Sequence, residues 1–248
     1  MLNQGSRESK PRWGSEGREQ KATAILSSLL AYSDEKILNG LWVDVGCGSG
    51  GMVSALAPYV RRVVGVDPEP WPQWNECSSS RLNATFVIAY CDGDEFPLLP
   101  GSADIIICNQ VYEHVRDPQK LLLNIYMLLK PGGVCYFAGP NLLWPIEPHL
   151  FWPFVHWFPR SFSQKLMALF GSKQSHLLDA NSTHYWKLVG WMKGQGFEVF
   201  DGIKTRLFHS LVNASMLNSA KFVSKIPLRF FRAAHPLSPG FVFILSKR

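Results

Sequence analysis

Residues 41–51 read LWVDVGCGSGG, a short β-branched apolar run that ends abruptly in glycine. Gly46, Gly48, Gly50 and Gly51 follow a strand-like segment and precede a segment of helical character from Met52 to about Tyr59. Glycine at such a turn allows positive φ and lets a ligand approach the backbone closely. The helix that follows offers unpaired N–H groups to a negatively charged group. A strand, a glycine loop and a helix in immediate succession predict the first unit of an α/β sheet with a ligand at its carboxyl edge.

The rest of the chain repeats that alternation. Arg62–Asp67, Thr85–Tyr90, Ala103–Asn109 and Val134–Ala138 read as further strands. ADIIICN is almost continuously apolar, as expected for a strand buried on both faces. Asp117-Pro118 caps and starts a helix whose buried stripe is Leu121, Leu122, Ile125, Leu128 and Leu129, and Lys130-Pro131-Gly132-Gly133 closes it. A further amphipathic helix is expected over 183–195, with last strands at Phe197–Phe200 and Phe241–Leu245. This order predicts a Rossmann-like, doubly wound sheet with right-handed crossovers. The 248 residues fit one domain. Residues 1–21 read as a flexible lead, 140–182 as an aromatic insertion and 203–236 as a basic, apolar connection.

Composition narrows the class. Apolar residues make up 46% and charged residues 18%, which excludes a disordered chain. No run reaches the ~18 apolar residues that a membrane span requires. Cys47, Cys77, Cys91, Cys108 and Cys135 are odd in number and lack C-x-x-C spacing, so neither a full disulfide framework nor a cysteine-rich zinc site is expected. The polar opening segment lacks the apolar stretch of a signal peptide. Together these predict a reduced, cytoplasmic protein.

The glycines alone leave the ligand open. Gly46, Gly48 and Gly50 fit G-x-G-x-G, while Gly46, Gly48 and Gly51 fit the dinucleotide fingerprint. Asp67, at the end of the second strand, suits ribose hydroxyls in either case. Four segments decide: Val43–Gly50, Val64–Asp67, Cys91–Asp104 (CDGDEFPLLPGSAD), and Asn109–His114 with Leu128–Gly133 (NQVYEH and LLKPGG). In this order the sequence resembles the class I S-adenosylmethionine-dependent methyltransferases, most closely the subgroup that includes quinone-biosynthesis methyltransferases. The resemblance covers residues 41–139.

That resemblance implies a seven-stranded mixed sheet with the last strand antiparallel, and S-adenosylmethionine as cofactor with S-adenosylhomocysteine as product. It implies that Asp44 holds the loop and the methionine ammonium. Gly46, Cys47, Gly48 and Gly50 would carry the loop backbone past the methionine and ribose. Asp67 would accept from the ribose hydroxyls, with Pro68 on the adenine. Asp92 would accept the adenine amino group and the Gly93 amide would bond a ring nitrogen. Asn109 and Gln110 would lie below the methionine. The chain departs from the pattern at Pro68-Glu69-Pro70, so an irregular connection to the third strand is expected there.

Methyl transfer to a weak nucleophile needs alignment, exclusion of water and removal of a proton. His114, His149 and His184 are the candidate bases, since imidazole titrates near neutrality. Each has a structural alternative: His114 as a cap or backbone partner, His149 as a turn residue beside Glu147, and His184 as a helix cap. No histidine spacing supports a metal. The segment LLWPIEPHLFWPFVHWF, Leu142–Phe158, reads as a lid, a substrate wall, a membrane wedge or a satellite core.

After Asp201 the chain has no Asp or Glu but carries Lys204, Arg206, Lys221, Lys225, Arg229, Arg232, Lys247 and Arg248. These fit an anionic membrane surface, an acidic substrate or a solvated face. The expected reaction is O-methylation of a small, lipid-linked or glycan-linked acceptor, without nucleic acid. Two alternatives are a catalytically silent cofactor-binding scaffold at a membrane or partner, and an NAD-dependent oxidoreductase. The second lacks a Tyr-x-x-x-Lys pair after the fourth strand.

Overall fold

The computed structural model describes residues 15–94, 96–146, 151–172 and 182–248. Seven strands form one sheet: β1 (Leu41–Val45), β2 (Arg62–Asp67), β3 (Ala84–Ile88), β4 (Ala103–Asn109), β5 (Leu129–Pro140), β6 (Glu198–Asp201) and β7 (Gly240–Ser246). Their order is β3-β2-β1-β4-β5-β7-β6. Every pair from β3 to β5 is parallel, and β7 runs antiparallel between β5 and β6. This is the doubly wound mixed sheet that the alternation predicts. The strand order reverses at β1, where β1 pairs with both β2 and β4, so a crevice opens at the carboxyl ends of β1 and β4.

The core lies on both faces because successive strand residues point to opposite sides. Val43, Val45, Ile106, Cys108 and Phe137 pack against α4 (Pro118–Leu128) and α6 (Tyr185–Gly194) through Leu121, Ile125, Leu188 and Met192. Trp42, Ile105, Ile107 and Tyr136 face the other way, against α1 (Ser15–Leu30), α2 (Gly51–Leu56) and α3 (Gln73–Ser80). As expected, Asp117 caps α4: its Oδ1 accepts from the Gln119 and Lys120 amides at 2.9 and 3.0 Å, with Pro118 in the first turn.

Several boundaries differ from expectation. The lead expected to be flexible to residue 21 is helical from Ser15. Its charged first half lacks an apolar stripe, but Ala22, Ile25, Leu26 and Leu29 anchor the helix to the sheet. The β2–β3 connection, expected to be irregular, recovers after Pro72 into α3, which buries Trp74 and Cys77. α4 stops at Leu128, and β5 begins at once because Leu129 pairs with Ala103 across a register shift.

The connection over 203–236 is three helices, α7 (Ile203–Asn213), α8 (Leu217–Lys225) and α9 (Leu228–Ala234). α7 packs along α1, and Asn213 Nδ2 donates to the Gln20 carbonyl at 3.1 Å. A buried histidine ties this region to the sheet. His235 Nδ1 lies 2.7 Å from Asp201 Oδ2, and its Nε2 accepts from the Val242 amide at 3.1 Å.

In the aromatic insertion, α5 (Arg160–Leu169) and a short 3₁₀ turn enclose a small satellite core of Val155 and Met167, covered by Trp152. Phe151, Phe154, Trp157, Phe158, Phe162 and Phe170 remain exposed around it. Among the described residues no helix is long and apolar enough to cross a membrane.

Candidate active site

The glycine loop leaves β1 through three left-handed residues, with φ of 73° at Gly46, 50° at Gly48 and 80° at Gly50. The Gly46 and Cys47 amides both donate to the Val66 carbonyl, at 2.8 and 3.1 Å, which folds the loop back over β2. The glycines are needed for different reasons. A Cβ at Gly46 would stand 2.5 Å from Val111 Cγ2, and one at Gly50 would stand 2.7 Å from the Phe86 ring. A Cβ at Gly48 would meet nothing within 4 Å. Gly48 therefore borders open space, as a loop must where a ligand lies against its backbone. Trp74, stacked on Phe86 at 4.8 Å, supports the loop from below and donates Nε1 to the Gly48 carbonyl at 2.8 Å.

The acids surround this loop. Asp67 Oδ2 accepts from the Gly48 amide at 2.8 Å and Oδ1 from the Glu69 amide at 3.0 Å, so Pro68 sits in the turn that this carboxylate closes. Asp44 is buried, and burial pushes its carboxyl up to about 7, opposed by the nearby Lys21 ammonium. A buried carboxylate at the mouth of an open loop suits a cationic partner, which the ammonium of S-adenosylmethionine would supply. The open space at Gly48, the acceptor at Asp67 and the buried Asp44 together fit that cofactor.

Asp92 and Gly93 hold a neighbouring turn. Asp92 Oδ2 accepts from the Arg116 and Asp117 amides at 2.8 and 3.0 Å. The Gly93 amide donates to the Tyr90 carbonyl at 3.1 Å. Asn109 and Gln110 lie at the end of β4. Gln110 has φ of 61°, a conformation that non-glycine residues seldom adopt, and its amide donates to Ala138 O at 2.8 Å. Such strain is concentrated at functional sites. The five cysteines are buried as free thiols, Cys47 within the loop itself.

The described candidate histidines have different partners. His184 caps α6, its Nδ1 accepting from the Lys187 amide at 3.2 Å. His114 Nε2 lies 3.9 Å from Oε1 of the buried Glu113. His149 and its neighbour Glu147 lie outside the described residues. Among the described residues no group of His, Cys, Asp or Glu could hold a metal ion.

A cleft of about 350 Å³ opens beside Asn109 and Gln110. Its floor is Tyr136, Ala138 and Gly139 of β5, and its walls come from β7 and α7. Lys21 of α1 and Arg206 of α7 line it, and among the described residues no histidine does. Gln110 lines the cleft, while Val111, the next residue, lies against Gly46 of the glycine loop. Sequence reasoning missed Lys21 in its polar lead and met Arg206 only as one cation of the basic tail. It also missed Arg18, whose Nη1 donates to Ser49 Oγ at 2.9 Å, over the loop.

A doubly wound sheet with this loop and acid pattern defines the class I S-adenosylmethionine-dependent methyltransferases. The chain belongs to the family described as "Methyltransferase domain", which matches residues 16–200. Among curated relatives, the ubiquinone biosynthesis O-methyltransferase of Coxiella burnetii is 28% identical over 214 residues, covering 81% of this chain and 82% of that protein. Among solved structures, an S-adenosylmethionine-dependent methyltransferase from Mesorhizobium loti shares the fold with a TM-score of 0.56, at 16% identity, over 94% of this chain and 99% of that one. A phosphoethanolamine N-methyltransferase from Haemonchus contortus aligns at a TM-score of 0.55 and 17% identity, over 96% of this chain and 59% of that one.

Proposed function

We propose that this methyltransferase transfers the methyl group to an oxygen of a small or lipid-linked acceptor held in the cleft between β4, β5, β7 and α7. The observation that carries this is the succession at the end of β4: Gln110 lines the cleft, and the next residue, Val111, lies against Gly46 of the glycine loop. Oxygen is favoured because the Coxiella burnetii relative is named an O-methyltransferase. When bound, the cofactor supplies a methyl group activated on a sulfonium. Asp67 binds the ribose, Asp44 holds the ammonium, and Asn109 and Gln110 border the methionine end. Leu207, Phe241 and Val242 exclude water from the acceptor. Transfer would form a C–O bond and break the C–S bond, leave the electron pair on sulfur as S-adenosylhomocysteine departs, and release the acceptor's hydroxyl proton to water.

Incubation with isotopically methyl-labelled S-adenosylmethionine and a panel of phenols, catechols and amines tests the reading. A labelled methyl ether identified by mass spectrometry supports it. Labelled amines alone would overturn the choice of oxygen. Cofactor binding without turnover on any acceptor would favour the silent scaffold.

A second proposal concerns location. α8 and α9 expose Phe222 and Phe230 beside the exposed cations Lys221, Lys225, Arg229 and Arg232. With no acid after Asp201, this face complements an anionic membrane surface and could bring a lipid-linked acceptor to the site. Pelleting with phosphatidylglycerol vesicles at low salt tests it. Equal pelleting with neutral phosphatidylcholine vesicles, or none with either, would count against it.

A further inference from the structure

We infer that β3 is a pairing edge for a second copy of this chain: two β3 strands join antiparallel about a two-fold axis at Phe86, and two seven-stranded sheets become one. This holds whatever the acceptor is and does not rest on the reaction proposed above.

β3 ends the sheet, and among the described residues it pairs with β2 alone. A strand in that place offers a row of backbone donors and acceptors to a further strand. The bonds it already makes settle which groups it offers. The Val63 amide donates to the Asn83 carbonyl at 3.0 Å, and the Ala89 amide donates to the Asp67 carbonyl at 3.0 Å. Asn83 and Ala89 therefore turn toward β2 and, by alternation, so do Thr85 and Val87. Ala84, Phe86 and Ile88 turn their backbone groups outward. The Ala84 amide is taken by the Arg81 carbonyl at 2.9 Å, which leaves the Phe86 and Ile88 amides as the outward donors.

The two ends of the sheet are finished differently. β6 is four residues long and carries Glu198, paired with Arg248, and Asp201, paired with His235. Shortness and charge are the usual guards of a sheet edge. β3 lacks the charge. From Leu82 to Tyr90 the chain reads LNATFVIAY, with no charged residue, proline or glycine. Leu82, Ile88 and Tyr90 are 95%, 60% and 66% exposed. A bare apolar edge of this kind is a site of strand association.

The segment also complements itself, which selects a second copy as the occupant. With the two Phe86 residues opposite each other, Ala84 faces the partner's Ile88, Thr85 faces the partner's Val87, and Leu82 comes level with the partner's Tyr90. This is a register in which the outward groups meet. The two Phe86 residues exchange both backbone bonds, and each Ile88 amide reaches the partner's Ala84 carbonyl. Aromatic and β-branched residues opposite one another are the pairs that stabilise antiparallel strands. The flanking charges agree. Arg81 precedes the run and Asp92 and Asp94 follow it, so antiparallel pairing brings each Arg81 toward acids of the opposite copy. A two-fold contact uses one edge of each copy and leaves the guarded β6 outside, so assembly stops at two. Phe86 also stacks on Trp74, the residue that supports the glycine loop, so the axis lies beside that support.

Sedimentation velocity of the full chain tests this. A reversible shift from monomer to dimer is expected between about 1 and 300 µM. Ile88→Pro removes an outward amide without touching the bonds to β2, and should weaken the dimer about tenfold or more. Ile88→Lys, which places a charge on the edge, should do the same and serves if the proline variant fails to fold. Register is tested by cross-linking under copper-phenanthroline and air. Thr85→Cys combined with Val87→Cys should give a disulfide-linked dimer on a non-reducing gel, because those positions face each other closely. Thr85→Cys alone should not, and neither should the wild type, whose five cysteines are buried. A monomer at every concentration overturns the inference and leaves the edge to a strand of another protein. A dimer that neither Ile88 variant weakens, or a cross-link through Thr85→Cys alone, also overturns it.

Discussion

The Asp67 carboxylate at the end of β2 accepts the Gly48 amide at 2.8 Å, and so joins the acid proposed to bind the ribose to the loop proposed to cradle the cofactor. One residue thus shapes the loop and, in the proposed reading, also binds the ligand. Asp67→Ala removes both roles. A hydrogen bond to a charged group contributes about 1.5–3 kcal/mol, so S-adenosylhomocysteine affinity should fall by roughly 10–150-fold. Calorimetric titration checks this, and a wild-type affinity in the variant would remove Asp67 from the site.

The loop glycines should separate by phenotype. Gly46→Ala places a methyl group against Val111 in a backbone of φ 73°, and should cost about 1–3 kcal/mol of stability. Gly48→Ala meets no protein atom and should lose cofactor affinity out of proportion to any change in Tm. Urea unfolding beside titration distinguishes the two. Equal binding losses at equal stability would show that Gly48 does not border the ligand.

Asp44 gives the ligand-free protein a definite pH dependence. Burial raises its carboxyl to about 7, from an ordinary value of 3.8. Between those values the folded state binds more protons than the unfolded one, so the Asp44 contribution to stability is full below about 4 and is lost as pH rises through about 7. Binding of an ammonium needs the ionised form, so cofactor affinity should rise over the upper part of the same range. Asp44→Asn should flatten both profiles. Melting curves and titrations between pH 5 and 8 measure them, and identical slopes in variant and wild type would refute the assignment.

His184 should behave as a cap. His184→Ala should lower stability by about 1 kcal/mol, and His184→Asn, which can also cap, should recover most of it. A stable Asn variant with lost turnover would instead give His184 a part in proton transfer.

His235 bridges Asp201 and the Val242 amide inside the core. An Nε2 that accepts from an N–H leaves the proton on Nδ1, facing Asp201, so the ring is neutral. His235→Ala strands a buried carboxylate oxygen and an amide together and should cost about 3 kcal/mol. Thermal unfolding checks it, and the cofactor affinity of the folded fraction should be unchanged.

Much of this was legible along the chain, for a local reason. A strand, a glycine loop and a helix are contiguous, so Leu41–Val45, Gly46–Gly51 and the acid closing β2 could be read in order. The same holds for Asp117-Pro118, where cap and helix are neighbours. Periodicity also located β4 and β7, because apolar runs between turn residues have few other solutions. The helical start at Ser15 was not legible. Its polar first turns carry no stripe, and their place is set by packing against the sheet and α7.

Sequence alone therefore determined the fold class, the cofactor loop and the acids around it, since each is encoded within a few adjacent residues. Only the tertiary structure decided which cations line the cleft beside Asn109 and Gln110. Lys21 and Arg206 are 185 positions apart, and nothing local marks either one. They meet because α7 packs along α1 and reaches β7, which brings two positive side chains to one cleft.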